Sequence, residues 1–441
     1  MRPDVLCAVG SEGSRHLRAL ARRAAACAAL VGVAACRRDD AVTLRITSWQ
    51  SPEENAIDAV EFRSFEAAHP GVHIVNDPVS NSAEYREKVL TSIGAGSPPD
   101  VFLLDGIDVA AFAARDVVLD LQPFAERVGV PLGLFFPQVV EPFRVSGKLL
   151  AFPKGFTPMV YYYNRNLFAK AGLALPKNGW TQDEFLAAVR ALTRDADGDG
   201  VVDQWGTVLD RRLYAWQAWL WGAGADVLTS DGARASGAID QPAAESTLTF
   251  LTSLPRRGYA PAPSVAGGAL GYEQRLFYSG RLGLLTSGHW MIPRMRRYLE
   301  QGRVQLGVVS VPRTAGHQVK TPLFASGWAV PYNTPHRKLA VELAAWMVRT
   351  DAQRRRAASG LEIPTLLTVA YASAAKDATG LEMDFLWQVP YGGVPWGARV
   401  ARYREVEKAM MDLVDRVVVE RISVKEAARE AAATVDGVLR R

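Results

Sequence analysis

Three aspartates at alternate positions, Asp195, Asp197 and Asp199, run through Asp-Ala-Asp-Gly-Asp-Gly and on to Asp203. An EF-hand-type loop gathers oxygens around a hard cation with carboxylates at positions 1, 3 and 5 and a glycine at the sharp turn. In that register Val201 offers its carbonyl and Asp203 stands at position 9, but position 12 is Gly206 and the bidentate carboxylate is missing. The other reading is a solvated acidic turn, whose carboxylates repel one another unless screened. A cation there would stiffen a loop and do no chemistry. A second chemistry is offered by aromatics, since the chain has 11 Trp. Rings match the C–H faces of a carbohydrate, and carboxylates or amides match its rim of hydroxyls. Aromatics in a cleft beside a few fixed polar groups would make a sugar site. The three cysteines, Cys7, Cys27 and Cys36, all fall in the first 36 residues. That excludes a catalytic thiol, a disulfide framework and a Cys-ligated metal from the rest.

The elements that must position such residues read as strand, helix, strand, helix, strand. Val42 to Thr47 alternates with β-branched residues. Residues 53–68 place Ile57, Val60, Phe62 and Phe65 near helical spacing, and His69-Pro70-Gly71 ends that helix. Residues 72–75 and 101–104 read as strands around a helix from Tyr85 to Ile93. This order predicts a parallel, doubly wound sheet, whose ligands sit at the carboxyl ends of strands. That points to Trp49 and Glu53 after the first strand and to Asp105 after the third. Asp105 has a second reading, as a cap for the next helix. From residue 148 a second block begins, with strands at 148–153 and 159–163 and a short helix from Asn164 to Ala171. Thr181 with Glu184 forms a capping box for the next helix. Helices are expected at 212–222, 242–254, 337–358, 399–419 and 424–439.

Five stretches in order, FRSFEAAHPGVHI, YREKVLTSIGAGSPPDVFLLD, VYYYNRNLFAKAGLALPKNGWTQDEFLAAVRAL, FYSGRLGLLTSGHW and ASGWAVPYNTPHRKLAVELAAWMVRTDAQRR, resemble extracellular solute-binding proteins of the sugar-importer type. That is the group that includes maltose-binding protein. The resemblance spans about residues 44–440. It implies an α/β fold of the periplasmic-binding-protein type, with two lobes carrying parallel-rich sheets around a ligand cleft and hinge crossovers near 152–157, 303–312 and 358–366. Residues 37–152 and 307–362 would form one lobe, and 153–306 and 363–441 the other. The family places ligand contacts near Trp49 and Glu53, and a polar contact near Thr157. Tyr214 lies near another contact position, and Trp290 in Ser-Gly-His-Trp matches one that stacks an aromatic on a sugar ring. His289 beside it reads as a helix-start residue. Trp328 after Gly327 and Trp396 between Pro395 and Gly397 are further candidates, with Arg399 near the second. Trp180 and Trp219 read as core.

From Arg15 the chain reads as a basic segment, then about 12 apolar residues, then Val33-Ala34-Ala35-Cys36. That is the pattern of a secretory signal over residues 1–36, and its end resembles a lipobox. The implication is cleavage before Cys36 and lipid attachment to it; the other reading is ordinary secretion with a chance cysteine. Residues 1–36 carry +3 of the net +5, so the rest carries only +2 and gives no reason to expect nucleic acid. The resemblance implies a monomeric sugar receptor delivering to ABC permease subunits, needing no cofactor. Alternatives are a polyol phosphate or polyamine ligand, or delivery to a sensor. A secreted glycoside hydrolase is a remoter rival, since Glu53 and Asp105 could be mistaken for its carboxylate pair. No Gly-x-Ser-x-Gly, His-Glu-x-x-His or phosphate loop supports an enzyme.

Overall fold

The computed structural model describes residues 41–79, 82–261, 271–302, 304–360 and 362–441. The expected signal segment over residues 1–36, with Cys36, lies outside them. The chain opens as expected: β1 (Val42–Thr47), α1 (Pro52–Ala68), β2 (Val72–Asn76), α2 (Ser82–Gly94) and β3 (Val101–Asp105). Leu44 and Ile46 of β1 point into the core while Thr43 and Arg45 face out, the two-residue period of a half-buried strand. Helix α1 starts on a capping box, with the Glu54 carboxylate accepting from the Ser51 N–H at 2.9 Å and Ser51 Oγ accepting from the Glu54 N–H at 3.2 Å. Gly71, at φ 86°, turns the chain into β2. Strands β2 and β3 flank β1, both parallel to it.

The next elements are β4 (Phe152–Pro158), β5 (Val160–Asn164), α3 (Gln182–Leu192), α4 (Leu213–Gly222), α5 (Pro242–Arg256), β6 (Leu284–Ser287), α6 (Met291–Glu300), β7 (Leu306–Val309) and β8 (Thr321–Ala329). They are followed by α7 (Arg337–Trp346), α8 (Thr350–Ser359), β9 (Ile363–Pro364), α9 (Leu367–Ala374), α10 (Leu381–Trp387), β10 (Gly392–Gly393), α11 (Tyr403–Asp415) and α12 (Val424–Leu439). The large sheet has the order β9-β4-β8-β3-β1-β2, with β10 pairing to β8. The small sheet is β6-β5-β7.

Several expectations are corrected here. Only the β1, β2, β3 part of the large sheet is doubly wound; β8 runs antiparallel to both β3 and β4, and the small sheet's three strands are antiparallel throughout. The first lobe boundary moves from 152 to Met159, because residues 152–158 pair with β8 in the large sheet and 160–164 pair with β6 and β7. The second moves beyond 306, because β7 belongs to the small sheet and the large sheet is rejoined only at Thr321. The third begins after β9, which still pairs with β4. The helix expected over 337–358 is two, because Arg349 takes an extended conformation (ψ 159°) between α7 and α8. The strand expected over 148–153 is a two-residue strand, Lys148–Leu149, followed by β4.

The capping box at Thr181 and Glu184 is present, and the Glu184 carboxyl is held low by the Thr181 N–H. Trp180, Trp216 and Trp219 are buried in the small-sheet lobe, where the Trp180 indole N–H donates to the Ser310 carbonyl at 2.6 Å. Helices α11 and α12 pack on each other, and α12 reaches α5.

Candidate functional site: the interlobe cleft

The large-sheet wall of the cleft is built where β1 and β3 end. Trp49 follows β1 and meets Tyr85 edge to face, with ring centroids 5.2 Å apart. Tyr85 is itself fixed, its hydroxyl donating to the Leu103 carbonyl at 2.7 Å. Asp105 closes β3, and its Oδ1 accepts from the Ile107 N–H at 3.2 Å, capping the turn Gly106–Asp108. Trp49, Tyr85, Arg86, Asp105 and Asp108 line one cavity of about 10 Å³, room for no more than about one water. Burial, and then the neighbouring charge of Asp108, push the Asp105 carboxyl up to about 7 against the opposing pull of Arg404. Glu53 is exposed in the first turn of α1, outside that cavity.

The small-sheet wall centres on Tyr214 and Trp290. Their rings stand at 89° with centroids 6.0 Å apart, and Phe324 of β8 meets Tyr214 at 6.3 Å. The Arg212 guanidinium lies 4.9 Å from the Tyr214 ring centre and is forked onto Asp210, Nε donating to Oδ1 at 2.8 Å and to Oδ2 at 3.0 Å. Burial and the Asp210 charge raise the Tyr214 phenol well above its usual range. Trp290 folds over Gly288, where a Cβ would sit 2.4 Å from the indole, so the turn needs glycine. Thr157, at the end of β4, accepts from the His289 N–H at 2.7 Å and donates to the Pro158 carbonyl at 2.9 Å. Its hydroxyl is thus already committed to the hinge. His289 is buried and pairs through Nε2 with Glu382 of α10 at 2.8 Å.

Two expected cleft residues lie elsewhere. Trp328 is 1% exposed, paired in β8 between Leu103 and Phe152, and belongs to the large-sheet core. Trp396 is buried in the small-sheet core, its indole N–H donating to Asp226 at 2.9 Å. Arg399 is exposed. The structure instead places Asp210, Arg212 and Phe324 around Tyr214, and Arg404 between Asp108 and Glu407. None carries a local motif; an Arg or Glu on a helix reads the same wherever it faces.

In the acidic loop, Asp195 accepts from the N–H groups of Gly198 and Gly200, each at 2.7 Å, and Asp199 from that of Val201 at 2.8 Å. The Gly200 N–H holds the Asp195 carboxyl below its usual range. Oxygens of Asp195, Asp197 and Asp199 lie within 4.8 Å of one another. Asp203 turns to the Ala196 N–H at 2.8 Å and stands outside that group.

Two α/β lobes joined by three crossings have the architecture of a two-lobed binding protein. The chain belongs to the bacterial extracellular solute-binding proteins, whose family model matches residues 46–354. It is 24% identical over 251 residues to a binding protein of Brucella abortus (strain 2308), covering 57% of this chain and 58% of that one. It is 23% identical over 207 residues to the diacetylchitobiose binding protein DasA of Streptomyces coelicolor, covering 46% and 45%. The chain thus spans about half the length of the curated relatives it matches. Among solved structures, an ABC substrate-binding protein of Listeria monocytogenes in complex with cycloalternan superposes with a TM-score of 0.81 at 20% identity, covering 91% of this chain and 99% of that one. The GacH receptor of Streptomyces glaucescens, solved unliganded and with acarbose, gives 0.78 at 20% identity over 91% and 99%. Both establish the fold. Among the described residues no helix is long and apolar enough to cross a membrane.

Proposed function

We propose that this protein captures a carbohydrate between its lobes and delivers it to the membrane subunits of an ABC importer, without chemical turnover. The observation that carries the reading is the pairing of an aromatic with a polar group on each wall: Trp49 with Asp105, and the Tyr214–Trp290 pair with the Asp210–Arg212 fork. Rings suit the C–H faces of a pyranose, and the carboxyls suit its hydroxyls. The bound sugars of the Listeria and Streptomyces glaucescens proteins support the same ligand class. Lipid attachment at Cys36 would hold the receptor at the membrane, and loss of radiolabelled palmitate in Cys36→Ser tests it. Calcium at the Asp195–Asp199 loop is a secondary part of the reading, supported by the converging oxygens; a calorimetric titration with calcium chloride that gives no heat removes it.

The principal test is a thermal-shift scan of the purified protein against a carbohydrate panel. A ligand that binds only the folded state adds about 2.7 kcal/mol at a hundredfold excess over Kd. A shift with one sugar that is lost in Trp290→Ala supports the reading. A shift only with polyamines or polyol phosphates replaces the ligand class, and consumption of any panel member overturns the binding-protein reading.

A further inference from the structure

A cavity of about 660 Å³ lies where α6, α8, α9 and the start of α10 meet. Small-molecule sites occupy about 300–1,000 Å³. This one shares no lining residue with the cavity beside Trp49, and neither Tyr214 nor Trp290 lines it. Its walls come from both lobes. Helix α6 follows β6 of the small sheet, whereas Arg356 ties α8 to α1 of the large-sheet lobe. Helix α9 packs against both α8 and α10.

Part of the lining is apolar. Ile292 and Leu299 stand two turns apart on one face of α6 and are half-buried, and Ala357 of α8, Val369 of α9 and Leu381 of α10 join them. Three exposed cations line the same cavity: Arg296, Arg354 and Lys376. The Lys376 ammonium makes no hydrogen bond or ion pair among the described residues. Arg354 meets Asp351 at 3.3 Å, an exposed pair on one helix turn that is screened by water. Arg296 donates through Nη2 to the Ser359 carbonyl and has no carboxylate partner among the described residues. Two carboxylates also line the cavity, but each is engaged within the protein. Asp377 accepts from the Thr379 hydroxyl at 2.7 Å and from the Glu382 N–H at 2.9 Å, and Glu382 meets His289 Nε2 at 2.8 Å.

We propose that this cavity is a second ligand site, which binds a soluble amphiphilic phosphate ester. The apolar body lies on Ile292, Leu299 and Val369, and the phosphate is held by Arg296, Arg354 and Lys376. A phosphate offers three strong acceptor oxygens and close to two negative charges, which suits three cationic donors better than a single carboxylate does. The lining does not suit a sugar, because it contains no aromatic ring to stack on a pyranose. Inorganic phosphate alone would leave the apolar side wet, and an uncharged chain would leave the cations without a partner. The site stands apart from the Tyr214–Trp290 pair and does not depend on what the cleft binds.

Calorimetric titration of the full chain with octyl phosphate, octan-1-ol and inorganic phosphate tests this. Octyl phosphate is expected to bind with one site per chain, and the other two to bind about tenfold more weakly or not at all. Arg296→Gln combined with Lys376→Gln is expected to weaken octyl phosphate by about tenfold or more. Both side chains are exposed, so the double variant keeps the fold. Ala372→Phe, on the exposed side of α9, fills the cavity with all three cations intact and is expected to weaken it as well. Trp290→Ala is expected to leave the binding unchanged. No binding of octyl phosphate overturns the proposal, and so does octan-1-ol or inorganic phosphate binding as tightly. Binding that survives both the double variant and Ala372→Phe, or that is lost in Trp290→Ala, places the ester elsewhere and overturns it too. No sugar is present in any arm, so a failed carbohydrate screen and a failed ester site are separate results.

Discussion

The backbone N–H of His289 donates to the hydroxyl of Thr157 across 2.7 Å. Thr157 lies near the end of β4, just before the crossing at Met159, and His289 precedes Trp290, so the start of the crossing holds the turn that carries Trp290. Thr157→Val keeps the volume and removes the acceptor, leaving a buried N–H unpaired at a cost of about 1–3 kcal/mol. The melting temperature and ligand affinity are both expected to fall in Thr157→Val and to stay near wild type in Thr157→Ser. Thermal unfolding and titration on the three proteins check this.

Trp290 and Trp328 separate binding from stability. Trp290 is partly exposed against Tyr214, whereas Trp328 is sealed in the large-sheet core. Trp328→Ala is expected to cost about 3–5 kcal/mol of stability with the affinity of the folded fraction retained. Trp290→Ala is expected to weaken binding tenfold or more, about 1.4 kcal/mol, with a smaller loss of stability. Urea denaturation beside ligand titration distinguishes the two.

What the sequence revealed follows from the range of each interaction. The Thr181–Glu184 box spans three residues and α12 spans 16, so their signals are complete locally. The end of α1 at His69-Pro70-Gly71 is legible for the same reason. The lobe boundary at Met159 is not, because Phe152–Pro158 and Val160–Asn164 are both fully buried strands, and their sheets are decided by partners about 120–170 residues later. Trp290 and Trp328 each follow a Gly within two residues, yet one is drawn into a nine-residue central strand and the other is left on a turn. Arg404 sits among Glu405, Glu407 and Lys408 on a charged helix surface, and only the approach of Asp108 from the other lobe distinguishes it.

Asp105 makes stability depend on pH in an unusual direction. Its carboxyl keeps a proton to about 7 in the folded chain, while the unfolded chain releases it near 3.8. Between those values the folded state binds more protons, so stability falls as pH rises and the deficit persists above pH 7. Asp105→Asn removes the deficit. It is expected to be more stable than wild type at pH 8 by on the order of 2–4 kcal/mol and equal to it near pH 3. Denaturation midpoints at both pH values check this, and a wild type that gains stability from pH 4 to 7 at this site would contradict it.

The deepest charges in the large-sheet lobe lie behind the hinge. Arg356 of α8 donates through Nε to Asp58 of α1 at 3.1 Å and through Nη1 to the Met347 carbonyl at 2.8 Å. Glu362 stands 3.5 Å from the same guanidinium and accepts from Lys154 of β4 at 2.8 Å. Asp58 is fully buried, so removing the arginine leaves its carboxylate with neither water nor a cation. Arg356→Met is expected to cost about 3–5 kcal/mol, the penalty for breaking one side of a buried pair. Replacing both partners avoids the stranded charge, so Asp58→Leu combined with Arg356→Met should recover most of that loss. The coupling between the two positions, read from urea midpoints of the single and double variants, is expected to be at least 1–2 kcal/mol. Strictly additive losses would mean that Glu362 and Lys154, not Asp58, carry the charge of Arg356.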